Sequence, residues 1–174
     1  ASQGSLPVGN ISANEISIRL ANEGGKFNVT NPFSPLAGLL KPNRRIRAWL
    51  GIRDDSNGQE EWVPLGTFWS LDWDSPDDAL EATVVARDRL ELLRKSTYRS
   101  SQVQQNVSLY ALAEQVLQDA GLLPGEYWMD PALQQIIIPW AWLQPTSRRE
   151  ALRIIAEAAL AVVYADRDGV VRIE

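Results

Sequence analysis

Two hydrophobic periods divide this chain. Up to residue 87 apolar side chains recur at every second position, and beyond residue 88 they recur every third or fourth. Ile16, Ile18 and Leu20 alternate with Ser17 and Arg19, which predicts a half-buried strand over 14–20. Asn22-Glu23-Gly24-Gly25 follows, and its glycines suit the positive-φ positions of a tight turn. Phe27 and Val29 alternate again and predict a short partner strand. Pro32, Pro35, Gly38 and Pro42 then break the pattern into a loop, with one helical turn expected at 36–40. From 45 to 52, Ile46, Ala48, Leu50 and Ile52 point one way and Arg45, Arg47 and Trp49 the other. Asn57-Gly58 is the dipeptide a type I′ hairpin prefers. A long strand over 61–73, kinked at Gly66, a polar turn at 74–78, and the alternation Leu80, Ala82, Val84, Ala86 complete a set of short antiparallel strands. Such a set predicts a small barrel or sandwich.

The second half reads differently. Asp88 to Lys95 has the form of a short capped helix, and the polar run 96–106 reads as a linker. Ser108 is placed as an N-cap, with Val107 and Leu112 as a hydrophobic staple and Gly121 as the stop. Leu109, Leu112, Ala113, Val116, Leu117 and Ala120 would line one face of that helix. Ile136, Ile137 and Ile138 before Pro139 predict a buried strand. Ser147 with Glu150 three residues on predicts a second helix with a capping box. Alternation returns at 161–165, Asp168-Gly169 turns the chain, and 170–173 is the last strand. The expected organisation is therefore α+β. An N-terminal antiparallel β domain, barrel or sandwich, with a short terminal helix (1–95) is followed by a linker (96–106) and a smaller helix-strand-helix-hairpin domain (107–174).

Composition narrows the chemistry. The 174 residues contain neither Cys nor His, which excludes thiolate and Ser-His-Asp catalysis and Cys- or His-ligated metals within the chain. A net charge of −5 opposes bulk nucleic-acid binding. No apolar run reaches the length of a transmembrane helix, and residues 1–10 lack the basic and apolar regions of a signal peptide. The chain does not begin with Met, so an excised piece of a longer protein is expected.

The segment from Ala21 to Gly51 carries N-x-x-G-x-F, then SPL, then L-x-P-x-R-x-(aliphatic)-x-(aliphatic). In this it resembles the first barrel-like domain of bacteriophage tail-tip and baseplate-hub proteins. A second set of motifs follows in the order found in hub, late-control and type VI secretion spike proteins. These are LAE-x-x-L-x-x-A-G-L from Leu112 to Leu122, S-x-x-E-x-L-x-x-(aliphatic)-A-E from Ser147 to Glu157, and D-x-D-G-x-(aliphatic)-x-(aliphatic) from Asp166 to Ile173. Together they cover most of the chain, although that family continues past the last hairpin.

The resemblance implies a non-enzymatic structural component of a phage or prophage tail, assembled in the bacterial cytoplasm. It further implies a homotrimeric hub that contacts tube, spike or fibre proteins. On that basis Ile46, Arg47, Trp49, Leu50, Trp69, Leu71 and Trp73 are the expected subunit-interface residues.

The chain has seven Trp, a residue enriched in cores and interfaces, and most are expected to serve there. The alternative is a receptor-binding module that stacks envelope glycan on exposed Trp128, Trp140 and Trp142. Lys41, Arg44, Arg45 and Arg47 form a basic cluster that reads as a solvated strand face rather than a DNA site. Asp72, Asp74, Asp77 and Asp78 crowd one turn, but an EF-hand frame would put Asp77 where Gly belongs and Thr83 where Glu belongs. No metal, cofactor, catalytic residue, nucleic-acid recognition or membrane insertion is expected.

Overall fold

A computed structural model of the chain describes residues 11, 13–53, 55, 58–75 and 80–174. The chain divides into two compact units, one of them Asn14–Asp88 and the other containing Arg89–Glu174. The hairpin tip expected around Asn57 and the carboxylates Asp77 and Asp78 lie outside the described residues, as do residues 1–10.

In the first unit the two-residue period becomes an antiparallel sheet. Its strands are β1 (Glu15–Ala21), β2 (Arg45–Arg53), β3 (Glu60–Asp74) and β4 (Glu81–Arg87), in the order β1-β4-β3-β2. Residues paired across a ladder share a face. The inner face therefore carries Ile16, Ile18 and Leu20 beside the buried Ala82, Val84 and Ala86, and Phe68 beside Ile46. Among the described residues β1 and β2 do not pair with each other, so the expected barrel is here an open sheet with two edges.

β3 carries two bulges. The register passes from Ala48/Gly66 to Trp49/Pro64, leaving Leu65 unmatched, and from Ser70/Ala86 to Asp72/Val85, leaving Leu71 unmatched. Each extra residue shifts the side-chain alternation by one.

The strand expected at Phe27 and Val29 does not form. Side-chain acceptors capture the backbone donors that a ladder would need. Asn22 Oδ1 accepts from the Phe27 amide at 2.7 Å, and Asn28 Oδ1 accepts from the Thr30 amide at 2.8 Å. Successive turn bonds, such as Asn31 N–H to the Asn28 carbonyl at 3.3 Å, continue the coil. Ser70, fully buried on β3, ties the end of this loop down. Its hydroxyl donates to the Lys41 carbonyl at 2.9 Å and accepts from the Arg44 amide at 2.9 Å.

The second unit holds α1 (Arg89–Lys95), α2 (Leu109–Asp119) and α3 (Arg148–Ala159). Leu90, Leu93, Leu109, Val116, Leu117, Leu152 and Ile155 from these helices form one core with Val171 and Ile173. The caps stand where the sequence puts them. Ser108 Oγ accepts from the Ala111 amide and Ser147 Oγ from the Glu150 amide, each at 3.1 Å. The Glu150 carboxylate is held by Arg153 Nε at 2.8 Å.

The segment read as a linker carries structure of its own. β5 (Thr97–Tyr98) pairs with β9 (Thr146–Ser147), and β6 (Gln104–Ser108) pairs with β8 (Ile137–Ala141). Polar residues suit these two-stranded ribbons because only part of each is covered. For the same reason the strand expected to be buried at Ile136–Ile138 is shifted and Ile137 is exposed. Its other edge is open, which is where a strand tolerates Pro139. The terminal hairpin, β10 (Val163–Ala165) and β11 (Val171–Ile173), gains a third strand. β7 (Tyr127–Met129) joins β11 in parallel, a pairing that no local pattern announces.

Candidate functional site

The outer part of the β2–β3 hairpin is apolar and open to solvent on both faces. Trp49, Leu50, Ile52, Trp62, Val63 and Leu65 are each between 42% and 62% exposed. Leu50 is paired with Val63 on the face continuous with Phe68 and Ile46, while Trp49 is paired with Pro64 and Gly51 with Trp62 on the opposite face. An apolar set of this size on one hairpin is more than scattered surface hydrophobes and marks a surface to be covered. Arg45 and Arg47, both exposed, stand on the same face as Trp49 nearer the middle of the sheet.

The seven residues expected at an interface are not one patch. Ile46, Leu50 and Trp73 lie on the inner face, Arg47, Trp49 and Trp69 lie on the outer face, and Leu71 is the unmatched bulge residue. Trp69 sits between Arg45 and Arg87 in the ladder order. Trp73 is stacked on Phe27 with ring centroids 6.4 Å apart and planes within 5°, so its ring is used inside the unit. Its buried indole N–H has no hydrogen-bond partner among the described residues. Alternation along the sequence missed this division because neither bulge has a Gly or Pro at the unmatched position. Trp62 and Val63, which share the exposed tip, were missed with it.

In the second unit Trp128 is separate from the other two Trp. Arg172, its ladder partner, holds its guanidinium 5.3 Å from the Trp128 ring centroid. Trp140 and Trp142, 65% and 57% exposed, line an apolar groove of about 170 Å³ with Leu109, Leu112, Ile138 and Ile154. These two are brought together by β8 and the residues after it, and β6 holds that strand against α2.

A second cleft, of about 480 Å³, lies at the other end of α2 and is lined mainly by polar side chains. Gln115, Gln118 and Asp119 come from α2, Gln104 from β6, Tyr98 from β5, and Ser100 and Gln102 from the residues between β5 and β6. Gln104 and Gln115 pair their amides reciprocally, with Gln104 donating at 2.7 Å and Gln115 at 3.1 Å. Burial opposes ionisation of Asp119, but the Ser100 hydroxyl and Arg148 outweigh it and hold the carboxyl below its ordinary range. Burial, with the charge of Asp119 adding to it, pushes the Tyr98 hydroxyl up, so it stays protonated. Sequence reading passed over this cleft because 96–106 looked like linker. The signal available was the spacing of glutamines on both β6 and α2.

Among the described residues no three carboxylates are grouped to hold a metal ion, and no helix is long and apolar enough to cross a membrane.

With an open antiparallel sheet in one unit and three helices with small sheets in the other, the chain is of the mixed α+β class. No family model and no curated protein matches it. Among solved structures it is similar to the 43 kDa tail protein of prophage MuSo2 from Shewanella oneidensis, with a TM-score of 0.55 and 16% identity over 92% of this chain. The match covers 43% of that tail protein, so this chain spans less than half its length. At this identity the likeness is one of fold.

Proposed function

We propose that this chain is a structural part of a phage or prophage tail, acting by assembly rather than by catalysis. The observation that carries the reading is the β2–β3 hairpin, whose exposed indoles and aliphatic side chains need a covering surface. The fold likeness to a prophage tail protein supports it. So does the modest core of the sheet unit, whose buried apolar side chains among the described residues are Leu40, Phe68, Ala82, Val84 and Ala86. A sheet with so little apolar cover gains stability from partners.

In this reading the protein is a baseplate-hub or tail-tip subunit, a homotrimer placed between tail tube and spike or fibre. The open edges β1 and β2 are completed into a barrel by strands from elsewhere in the same chain or from a neighbouring subunit. Its place is then the virion tail, reached by assembly in the bacterial cytoplasm.

The test is solution mass by light scattering, on this chain and on the full reading frame that contains it. A trimer of the longer protein, lost when Trp49, Leu50 and Trp62 are all changed to Ser, is the expected result. A monomer over a wide concentration range overturns the reading.

A further inference from the structure

β2 is the outermost strand of the sheet unit, and among the described residues only β3 pairs with it. The unmatched residue Leu65 belongs to β3, so the free edge of β2 carries neither a bulge nor a proline. A long regular edge of this kind offers a row of main-chain donors and acceptors to any strand that can pair with it. Arg45, Arg47 and Trp49 stand two residues apart on the outer face, and Ile46, Ala48 and Leu50 alternate with them on the inner face.

The charge on that edge is not neutralised from within. Arg45 and Arg47 are exposed, and no carboxylate among the described residues pairs with either. By contrast Arg87, on the same face, is held by Glu15 at 2.7 Å, and Arg53 shares its ladder row with Glu60. Two adjacent uncompensated arginines run against the net charge of −5 on the chain. Two residues of strand span about 7 Å, so carboxylates two residues apart on an added strand would each face one guanidinium. Opposite charges across a ladder stabilise it and like charges oppose it.

The same rule discriminates among occupants. A second β2 laid antiparallel over the first would set arginine against arginine at both ends. β1 of a second copy would bring one carboxylate, Glu15, already held by Arg87, together with Arg19. The described strand with acids two apart, at Asp72 and Asp74 on β3, is paired with β4 over those residues, and Trp73 between them is stacked on Phe27. The strands of the other unit, from β5 to β11, contain no acidic residue.

We propose that the free edge of β2 is completed by a strand of another polypeptide that carries Asp or Glu at alternate positions and aliphatic residues between them. Its acids would face Arg45 and Arg47. Its aliphatic side chains would lie beside Ile46 and Ala48 and cover the exposed Leu50 and Ile52. Main-chain pairing gives such a strand its affinity, and the two arginines select its sequence. The inference rests on the reading that β2 is covered on assembly and states the chemistry of what covers it.

The experiment is calorimetric titration of the whole chain with a blocked peptide, as long as β2, that alternates Glu with Val. The same peptide with Gln or with Lys in place of Glu is the comparison. Saturable binding of the Glu peptide is expected, with the Gln peptide weaker by about tenfold and the Lys peptide silent. Hydrogen exchange of β2 amides, and not of β1 amides, should slow in the complex. The double variant Arg45→Glu with Arg47→Glu should exchange the preference, taking the Lys peptide and losing the Glu peptide. Both positions are exposed, so its thermal melt should match that of the parent. No saturable binding of the Glu peptide up to about 5 mM overturns the proposal. So does equal binding of the three peptides, protection at β1 instead of β2, or a double variant that keeps the parent's preference. A dimer of this chain that the peptide disperses makes a second copy the occupant and overturns it too. A trimer of the longer protein without peptide binding removes this proposal alone, and peptide binding by a protein that stays monomeric supports it and removes the assembly reading.

Discussion

The ring of Trp62 fills the space that a Cβ on Gly51 would need, at 2.8 Å from where that atom would stand, and the two residues are partners in the β2–β3 ladder. Gly51→Ala must push the indole aside. Because Trp62 lies at the solvent-exposed tip, the ring can move, and the cost to folding should stay below about 1 kcal/mol. The near-UV circular dichroism of the indole should change, and association through the tip should weaken. Gly66 offers the contrast, since its Cβ would meet the buried Phe68 ring at 2.8 Å. Gly66→Ala should cost about 1–3 kcal/mol in urea unfolding, because that ring has nowhere to go.

Ser70→Ala should destabilise the sheet unit by about 2 kcal/mol. It removes the donor to the Lys41 carbonyl and the acceptor for the Arg44 amide, at a site with no exposure to water. Hydrogen exchange of residues 41–44 should rise more than that of β4, since those residues lose their anchor directly. Equal protection in variant and parent would remove the anchoring role.

Two carboxylates make the second unit sensitive to acid. Arg153 chiefly lowers the pKa of Glu150, and Ser100 and Arg148 lower that of Asp119 against the effect of burial. A folded-state pKa below the unfolded one contributes stability that is complete above the ordinary carboxylate range. That contribution is lost as pH falls through the folded value. The urea midpoint should therefore drop between about pH 5 and about pH 2, and Arg148→Gln should flatten the part due to Asp119. A midpoint of unchanged slope in the variant would show that the pair does not contribute.

Leu160 closes α3 in the left-handed region, with φ 56° and ψ 29°, and its side chain is largely exposed. Glycine takes that conformation without strain. Leu160→Gly should stabilise by about 0.5–1 kcal/mol after the added flexibility of the unfolded chain is offset, read as a higher melting temperature.

What the sequence makes legible is local. The alternation at β1 and β4, the positive-φ turn at Gly24 and Gly25, and the caps Ser108 and Ser147 depend on neighbours a few residues away. The features that escaped depend on distant partners. β7 becomes a strand because β11 lies beside it, and the turns at 26–34 replace a strand because Asn22 and Asn28 supply acceptors. The candidate surfaces follow the same rule. Trp49 and Leu50 were readable as members of an alternating strand, whereas the Gln104–Gln115 cleft exists only once β6 is folded against α2.

The bulge at Leu65 decides parity. Trp62 and Phe68 are separated by an even number of positions and in a regular strand would point the same way, yet the register sets them on opposite sides. Deleting Leu65 would leave every present pairing intact. Inserting one further residue there would leave the inner face in place and either enlarge the bulge or turn the Trp62 indole over. Length changes of one residue at this point are thus unequal, and the side on which the hairpin displays its indoles is set by a residue count rather than by a residue type.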